Sequence, residues 1–386
     1  MARKIRLHIG THKTGTTALQ TKLQTLVPAL AARGWHYLSG GPNHSWLYLL
    51  FAEAPHREHD MVKRGLGSPT AAQAWVAERR AALADELTKE RDNILVSGEE
   101  LCRLPTDGVA ALLAFLAEYS TDIAVVCCVR APLAYCISEA QEGIKGGLTM
   151  ADVVARPPVA RYRSALAAYV EHLNSSRVRV LRYEGFNTAV GQGATARVLG
   201  AAGIPADGLD LADDLQANVA LSREAAALLS HLNATIPMYI DGMLNPARAP
   251  IPLGWLHRLS STPFTLPRES LARSLAEAHE DLRWLRAFVG EDWFAEDNAA
   301  AIEELGHDGT SSEWGTLDPK LAGNIAIVLH DAAALVRDCM TSMLSDRVRQ
   351  AAAAGDAVLT ARYRADLYRI RPEMEYANRE LDAQPL

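Results

Sequence analysis

Gly10 and Gly15 bracket a short segment, GTHKTGTT at residues 10–17, that also holds His12, Lys13 and the threonines Thr11, Thr14, Thr16 and Thr17. Glycines let a backbone come close to a ligand, and N–H groups at the start of a following helix face an anion. The spacing is that of the nucleotide loop G-x-x-x-x-G-K-[ST], but Thr16 stands where the lysine belongs and the lysine is Lys13. In an ATPase that lysine grips the β- and γ-phosphates and the next hydroxyl holds magnesium. Moving it predicts a different anion, bound without a γ-phosphate and with no metal required. Two other sets of residues suit the same chemistry. Glu99 and Glu100 close an apolar run as a carboxylate pair, fit for general base work or simply for charge at a helix start. Arg130 follows a second apolar run, and Ser138 lies about two helical turns further on. A guanidinium grips phosphate bidentately and a serine hydroxyl adds one bond.

These residues need a strand edge to hold them. Ile5, Leu7 and Ile9 alternate with Arg6 and His8, which predicts a strand entering the loop. Leu19, Leu23, Leu26 and Val27 recur at helical spacing, so a helix leaves it, with Pro28 kinking or restarting it and Gly34 ending it. NILVS at 93–97 reads as a buried strand that delivers Glu99 and Glu100 to its C-terminal end. DIAVVCCV at 122–129 has no polar face, as expected of a parallel sheet covered on both sides. VRVLR at 178–182 is a further strand, followed by Tyr183 and Glu184. Ligands of open α/β sheets bind at the carboxyl edge. The expected fold is therefore α/β, a central parallel sheet flanked by helices.

GTHKTGTT resembles the 5′-phosphosulfate loop of sulfotransferases that use 3′-phosphoadenosine 5′-phosphosulfate (PAPS), closest to the bacterial and carbohydrate-type branch. VVCCVRAPLAYCIS resembles that family's 3′-phosphate motif, which assigns Arg130 and Ser138 to the 3′-phosphate. SGEE resembles the segment holding the candidate base, which implies Glu99 with Glu100 as alternative. The resemblance implies a P-loop-like fold over roughly the first 190 residues and the activity of a sulfuryl transferase. It implies PAPS as co-substrate and PAP as product, held by Gly10, Thr11, His12, Lys13, Thr14, Gly15, Thr16 and Thr17. Lys13 would neutralise the leaving group, and His12 is a reserve base. A family histidine near the acceptor corresponds to His44, whose competing reading is a surface residue near a helix cap; Glu100 is the other acceptor-side candidate. The acceptor implied is a small molecule or a glycan, with the oligomeric state open. The rival readings are a P-loop kinase using ATP and magnesium, and a non-catalytic nucleotide-binding protein.

Composition sets outer bounds. The chain has 386 residues, 49% hydrophobic and 22% charged, with ample material for a core. A net charge of −7 argues against a general nucleic-acid binder, so any anion site must be local. Cys102, Cys127, Cys128, Cys136 and Cys339 are odd in number and lack C-x-x-C spacing, which reads as reduced thiols of a cytoplasmic protein. No run of about 18 apolar residues predicts a membrane span, and no secretory leader is evident. His56 and His59 fall in a polar stretch, 56–67, expected to be a loop. Helices are expected over 70–91, 161–173, 218–233, 268–289, 321–354 and 358–381. A proline- and aromatic-rich stretch, 245–267, reads as a lid. A single domain is expected, with an α/β core to about 210 and a helical remainder whose C-terminal arginines form a solvated face.

Overall fold

The structure is a computed structural model and describes residues 3–90, 92–183, 193–211, 220–240, 243–245, 247–248, 256, 263–294, 298–307, 319–353 and 355–371. Glu184, most of the expected lid, the stretch 308–318 and the end of the last expected helix lie outside the described residues. The chain divides into two compact units. Met1–Ala140, Ala155–Val219 and Thr265–Asp308 form the first; Gln141–Val154, Ala220–Phe264 and Gly309–Leu386 form the second. The division does not follow a single cut, since 265–308 belongs with the first unit.

The first unit is built on β1 (Lys4–His8), β2 (Trp35–Tyr37), β3 (Asn93–Ser97), β4 (Asp122–Val129) and β5 (Val178–Arg182). All pair in parallel, in the order β2-β3-β1-β4-β5. The expected α/β architecture is therefore what the chain adopts. Alternation along the strands feeds two apolar layers. Ile5, Leu7, Ile94, Val96, Ile123, Val125, Cys127 and Val129 enter one; Leu95, Val126 and Cys128 enter the other. Because β1 is central, the chain passes first to one side (β3, β2) and then to the other (β4, β5). That reversal opens a crevice beyond the carboxyl ends of β1, β3 and β4, the place where such sheets bind ligands. His8 is in register with both Ser97 and Val126, so β1 and β3 end level while β4 runs on to Val129.

Helices cover both faces. α1 (Thr16–Thr25) and α2 (Val27–Ala31) break at Leu26, just before Pro28, as the proline predicts. α3 (Trp46–Phe51) is buried along most of its length. The polar stretch expected as a loop folds instead into a 3-10 turn, Pro55–Arg57, and α4 (His59–Lys63), because Met61 between the charges is fully buried. α5 (Pro69–Lys89) starts on Ser68, whose side chain accepts from the Ala71 N–H. α6 (Thr106–Ala117) is not among the elements predicted above; Val109, Leu112, Leu113 and Leu116 bury at helical spacing. α7 (Pro132–Lys145) starts at Pro132, α8 (Met150–Ala155) is short, and α9 (Tyr162–Leu173) packs on the sheet. α10 (Ala194–Ala201) closes the second layer.

In the second unit α11 (Arg223–Thr235) begins at Ser222, whose Oγ accepts from the Ala225 N–H at 3.1 Å, a hydroxyl cap. A short antiparallel pair, β6 (Tyr239–Ile240) and β7 (Met243–Leu244), follows. α12 (Arg268–Val289) and α13 (Asn298–Leu305) belong to the first unit. α14 (Pro319–Ala353) and α15 (Ala357–Ile370) end the described chain. Along α14, Val328 and Leu335 are each 66% exposed, while Ala326, Ala333, Leu344 and Ala351 are buried. The C-terminal arginines pair on the surface, Arg369 with Asp366 and Arg371 with Asp338, as a solvated face would. No helix among the described residues is long and apolar enough to cross a membrane. All five cysteines are free thiols.

Candidate active site

The loop after β1 is tied to β4 before it turns. Thr11 donates to the Cys128 carbonyl twice, from its backbone N–H (3.1 Å) and from Oγ1 (2.9 Å). Thr14 Oγ1 donates to the Thr11 carbonyl at 2.6 Å. Lys13 (φ 66°) and Gly15 (φ 73°) both take the left-handed conformation. For Lys13 this costs about 1 kcal/mol, strain that the loop geometry imposes. Alternation of this kind turns successive N–H groups toward one point and makes an anion nest. Gly15 also caps α1 without a side chain, and no acidic residue sits in the first helical turn. The helix thus brings no acid of its own to its positive end.

Arg130, at the end of β4, reaches this loop. Its Nη1 donates to the Lys13 carbonyl at 3.1 Å, and its guanidinium lies 5.3 Å from the Tyr183 ring centroid. Tyr162 Oη donates to the Arg130 carbonyl at 2.7 Å. Tyr183 also closes over Gly15: a Cβ there would lie 3.2 Å from its ring. Arg130 therefore braces the backbone of the loop at Lys13. Ser138 is half-buried on α7, and among the described residues its hydroxyl makes no hydrogen bond that would tie it to Arg130.

On the β3 side, Glu99 and Glu100 open a 3-10 turn, Glu99–Arg103. The Thr16 hydroxyl donates to Glu99. Glu100 binds Arg103 at 2.5 Å and lies 3.8 Å from His12 Nε2. Ligating atoms of His12, Glu99 and Glu100 all fall within 4.8 Å of one another, an arrangement able to hold a cation. Beside them lies a cavity of about 870 Å3 whose walls include Thr11, His12, Arg103, Tyr135, Tyr162 and Asp281. His12 is thus the predicted base that faces open volume, whereas Glu99 is turned to the loop.

The side-chain roles of Thr11 and Thr14 and the placement of His44 differ from the sequence reading, while Thr17 keeps its place at the start of α1. Thr11 and Thr14 commit their hydroxyls to the loop itself, so they offer an anion only backbone N–H groups. Thr17 is exposed. His44 is neither an acceptor-binding nor a surface residue: it is fully buried, its Nδ1 accepting from the Ser97 N–H (3.0 Å) and its Nε2 donating to the Leu38 carbonyl (2.7 Å). A ring bonded at both nitrogens has no group left for a substrate. His44→Ala is expected to destabilise the fold by about 2–4 kcal/mol in denaturant unfolding while leaving the acceptor KM unchanged.

Sequence reasoning treated His8 only as the polar side of a strand. The structure buries it at 1% exposure with Nδ1 2.9 Å from Ser97 Oγ. Its alternation with Ile9 before a glycine was the available signal. Burial lowers both His8 and His44 to about 4. Unfolded, each titrates near 6.5, so between those values the unfolded chain binds more protons. Stability is therefore full above about pH 6.5 and falls on acidification by up to ~1.4 kcal/mol per pH unit per histidine. Urea midpoints at pH 7.0 and 5.0 are expected to show this loss, and it should shrink in His44→Ala.

Comparison with family models, with curated proteins and with solved structures finds no match to this chain.

Proposed function

We propose that the protein transfers a sulfuryl group from PAPS to an acceptor hydroxyl or amine. The reading rests above all on one observation: a nest at the start of α1, with no acidic residue in the helix's own first turn, onto which Arg130 folds by donating to the Lys13 carbonyl. In this reading the N–H groups of the loop and of Thr16 and Thr17 hold the 5′-phosphosulfate. Arg130, with Ser138 on the adjoining helix, takes the 3′-phosphate. Acceptor oxygen or nitrogen attacks sulfur in line, the bond from sulfur to the 5′-phosphate oxygen breaks, and PAP departs with Lys13 offsetting its new charge. The acceptor proton passes to His12, which lines the cavity, with Glu100 beside it to stabilise the imidazolium. Glu99, bonded to Thr16, holds the loop and is the alternative base. Positioning and fixed charges supply most of the rate in such transfers. A cavity of about 870 Å3 with mixed polar and apolar walls suits an acceptor that offers both a hydroxyl and an apolar face, such as a sugar unit.

Calorimetric titration with PAP, in parallel with ADP and with ATP plus magnesium, tests the reading. PAP is expected to bind most tightly, with no change on adding EDTA. The His12, Glu99 and Glu100 cluster is the one feature that favours a kinase with ATP and magnesium. Against it, Glu99 and Glu100 already hold Thr16 and Arg103. Tight ATP–magnesium binding with no PAP binding would replace the sulfotransferase reading with the kinase one. PAP binding without turnover of any acceptor tried would favour a non-catalytic binder.

A further inference from the structure

His8 ends β1 directly beneath the loop, and its two nitrogens are in unlike surroundings. Tyr37 Oη donates its proton to the Pro42 carbonyl at 2.6 Å. Ser97 Oγ lies 2.9 Å from His8 Nδ1 in a hydrogen bond. With the imidazole proton on Nδ1 and given to Ser97, Nε2 is a bare lone pair. Nε2 is buried and has no hydrogen-bond partner among the described residues. It lies 3.0 Å from the point where a Cβ on Gly10 would sit, next to the Thr16 methyl at 2.9 Å from that point. An unpaired acceptor thus presses against the floor of the loop at its first glycine. Leaving it so costs on the order of 1–3 kcal/mol.

Resting on the reading of residues 10–17 as an oxyanion seat, we infer that His8 is the buried counter-ion of that seat. When a phosphate or sulfate group occupies the loop, His8 takes a proton from solvent onto Nε2 and stays charged until the anion leaves. The proton converts an orphan acceptor into a donor. It also supplies, from below, the positive charge that a nucleotide loop receives from the lysine replaced here by Thr16. The other groups around His8 do not serve in its place. His44, behind Ser97, is bonded at both nitrogens, and the Tyr37 hydroxyl already donates. The thiol of Cys128, on the same face of β4, is pushed up to about 12 by burial and stays neutral. Glu99 reaches the loop only through Thr16, and its charge opposes the anion. Arg130 is engaged with the loop at the Lys13 carbonyl. In the empty site burial holds His8 at about 4; a bound anion raises it, so protons are taken up on binding near pH 5.5.

Inorganic sulfate is the first probe, since it carries no titrating proton at this pH. Calorimetry at pH 5.5 in two buffers of different ionisation enthalpy is expected to show uptake of at least about half a proton per sulfate in the wild type, and a clear loss of that uptake in His8→Gln. Sulfate affinity in the wild type should fall several-fold between pH 5.5 and 7.5. In the wild type itself, the His8 Cε1–Hε1 resonance should shift from neutral to charged on adding sulfate or PAP, which needs no variant to fold. A His8 resonance that stays neutral with the loop saturated, or uptake unchanged in His8→Gln, overturns the inference. PAP binding with a neutral His8 would overturn only this inference. A His8 charged by sulfate in a protein that ignores PAP would uphold it and sink the sulfotransferase reading instead. Binding of neither ligand would refute both.

Discussion

Arg130→Ala is expected to weaken PAP on the order of a hundredfold while leaving ADP within a few-fold of wild type. A charge-assisted hydrogen bond contributes about 1.5–3 kcal/mol, and a guanidinium can make two to one phosphate. ADP lacks the 3′-phosphate, so the contrast between the ligands isolates that group from general effects on the loop. The control matters because Arg130 also donates to the Lys13 carbonyl and stacks near Tyr183. If its role is only to brace the loop, PAP and ADP weaken equally. Arg130→Lys keeps the charge but loses the planar fork, and should recover only part of the PAP affinity. Equal losses for both nucleotides would remove the 3′-phosphate assignment, and with it the strongest reason for preferring PAPS to other nucleotides.

The second large effect concerns the base. His12→Asn is expected to lower kcat by about a hundredfold or more with little change in PAP affinity, and to remove the acidic limb of the kcat/KM profile. Glu99→Gln is expected to act differently. Its carboxylate takes the Thr16 hydroxyl at the start of α1, so its loss should alter PAP binding and leave the shape of the pH profile intact. The assignment follows from where the groups face: His12 lines the cavity, and Glu100 stands 3.8 Å behind it. An unchanged profile in His12→Asn, with a lost limb in Glu99→Gln, would return the role to the glutamate that the sequence resemblance favoured. Survival of the limb in both variants would mean that neither is the base.

Much of this protein is legible in the order of its residues. The strands 93–97, 122–129 and 178–182 appear where unbroken or alternating apolar runs put them, because burial on a sheet follows a period of two whatever the rest of the chain does. The helix start at Ser222 and the break before Pro28 are local chemistry, settled within a few residues. The loop is local too: two glycines and four threonines mark a strand-to-helix turn before any neighbour is known. What the sequence does not declare is which of its side chains the fold consumes. Thr11 and Thr14 look like ligands until β4 and the loop's own turn claim their hydroxyls. His44 looks accessible until β3 encloses it, and His8 looks like the wet face of a strand until α1 covers it. Each depends on contacts between residues tens of positions apart. Burial and hydrogen-bond partnership are properties of the packed sheet, and a local pattern can state a residue's chemistry but not the neighbours that use it.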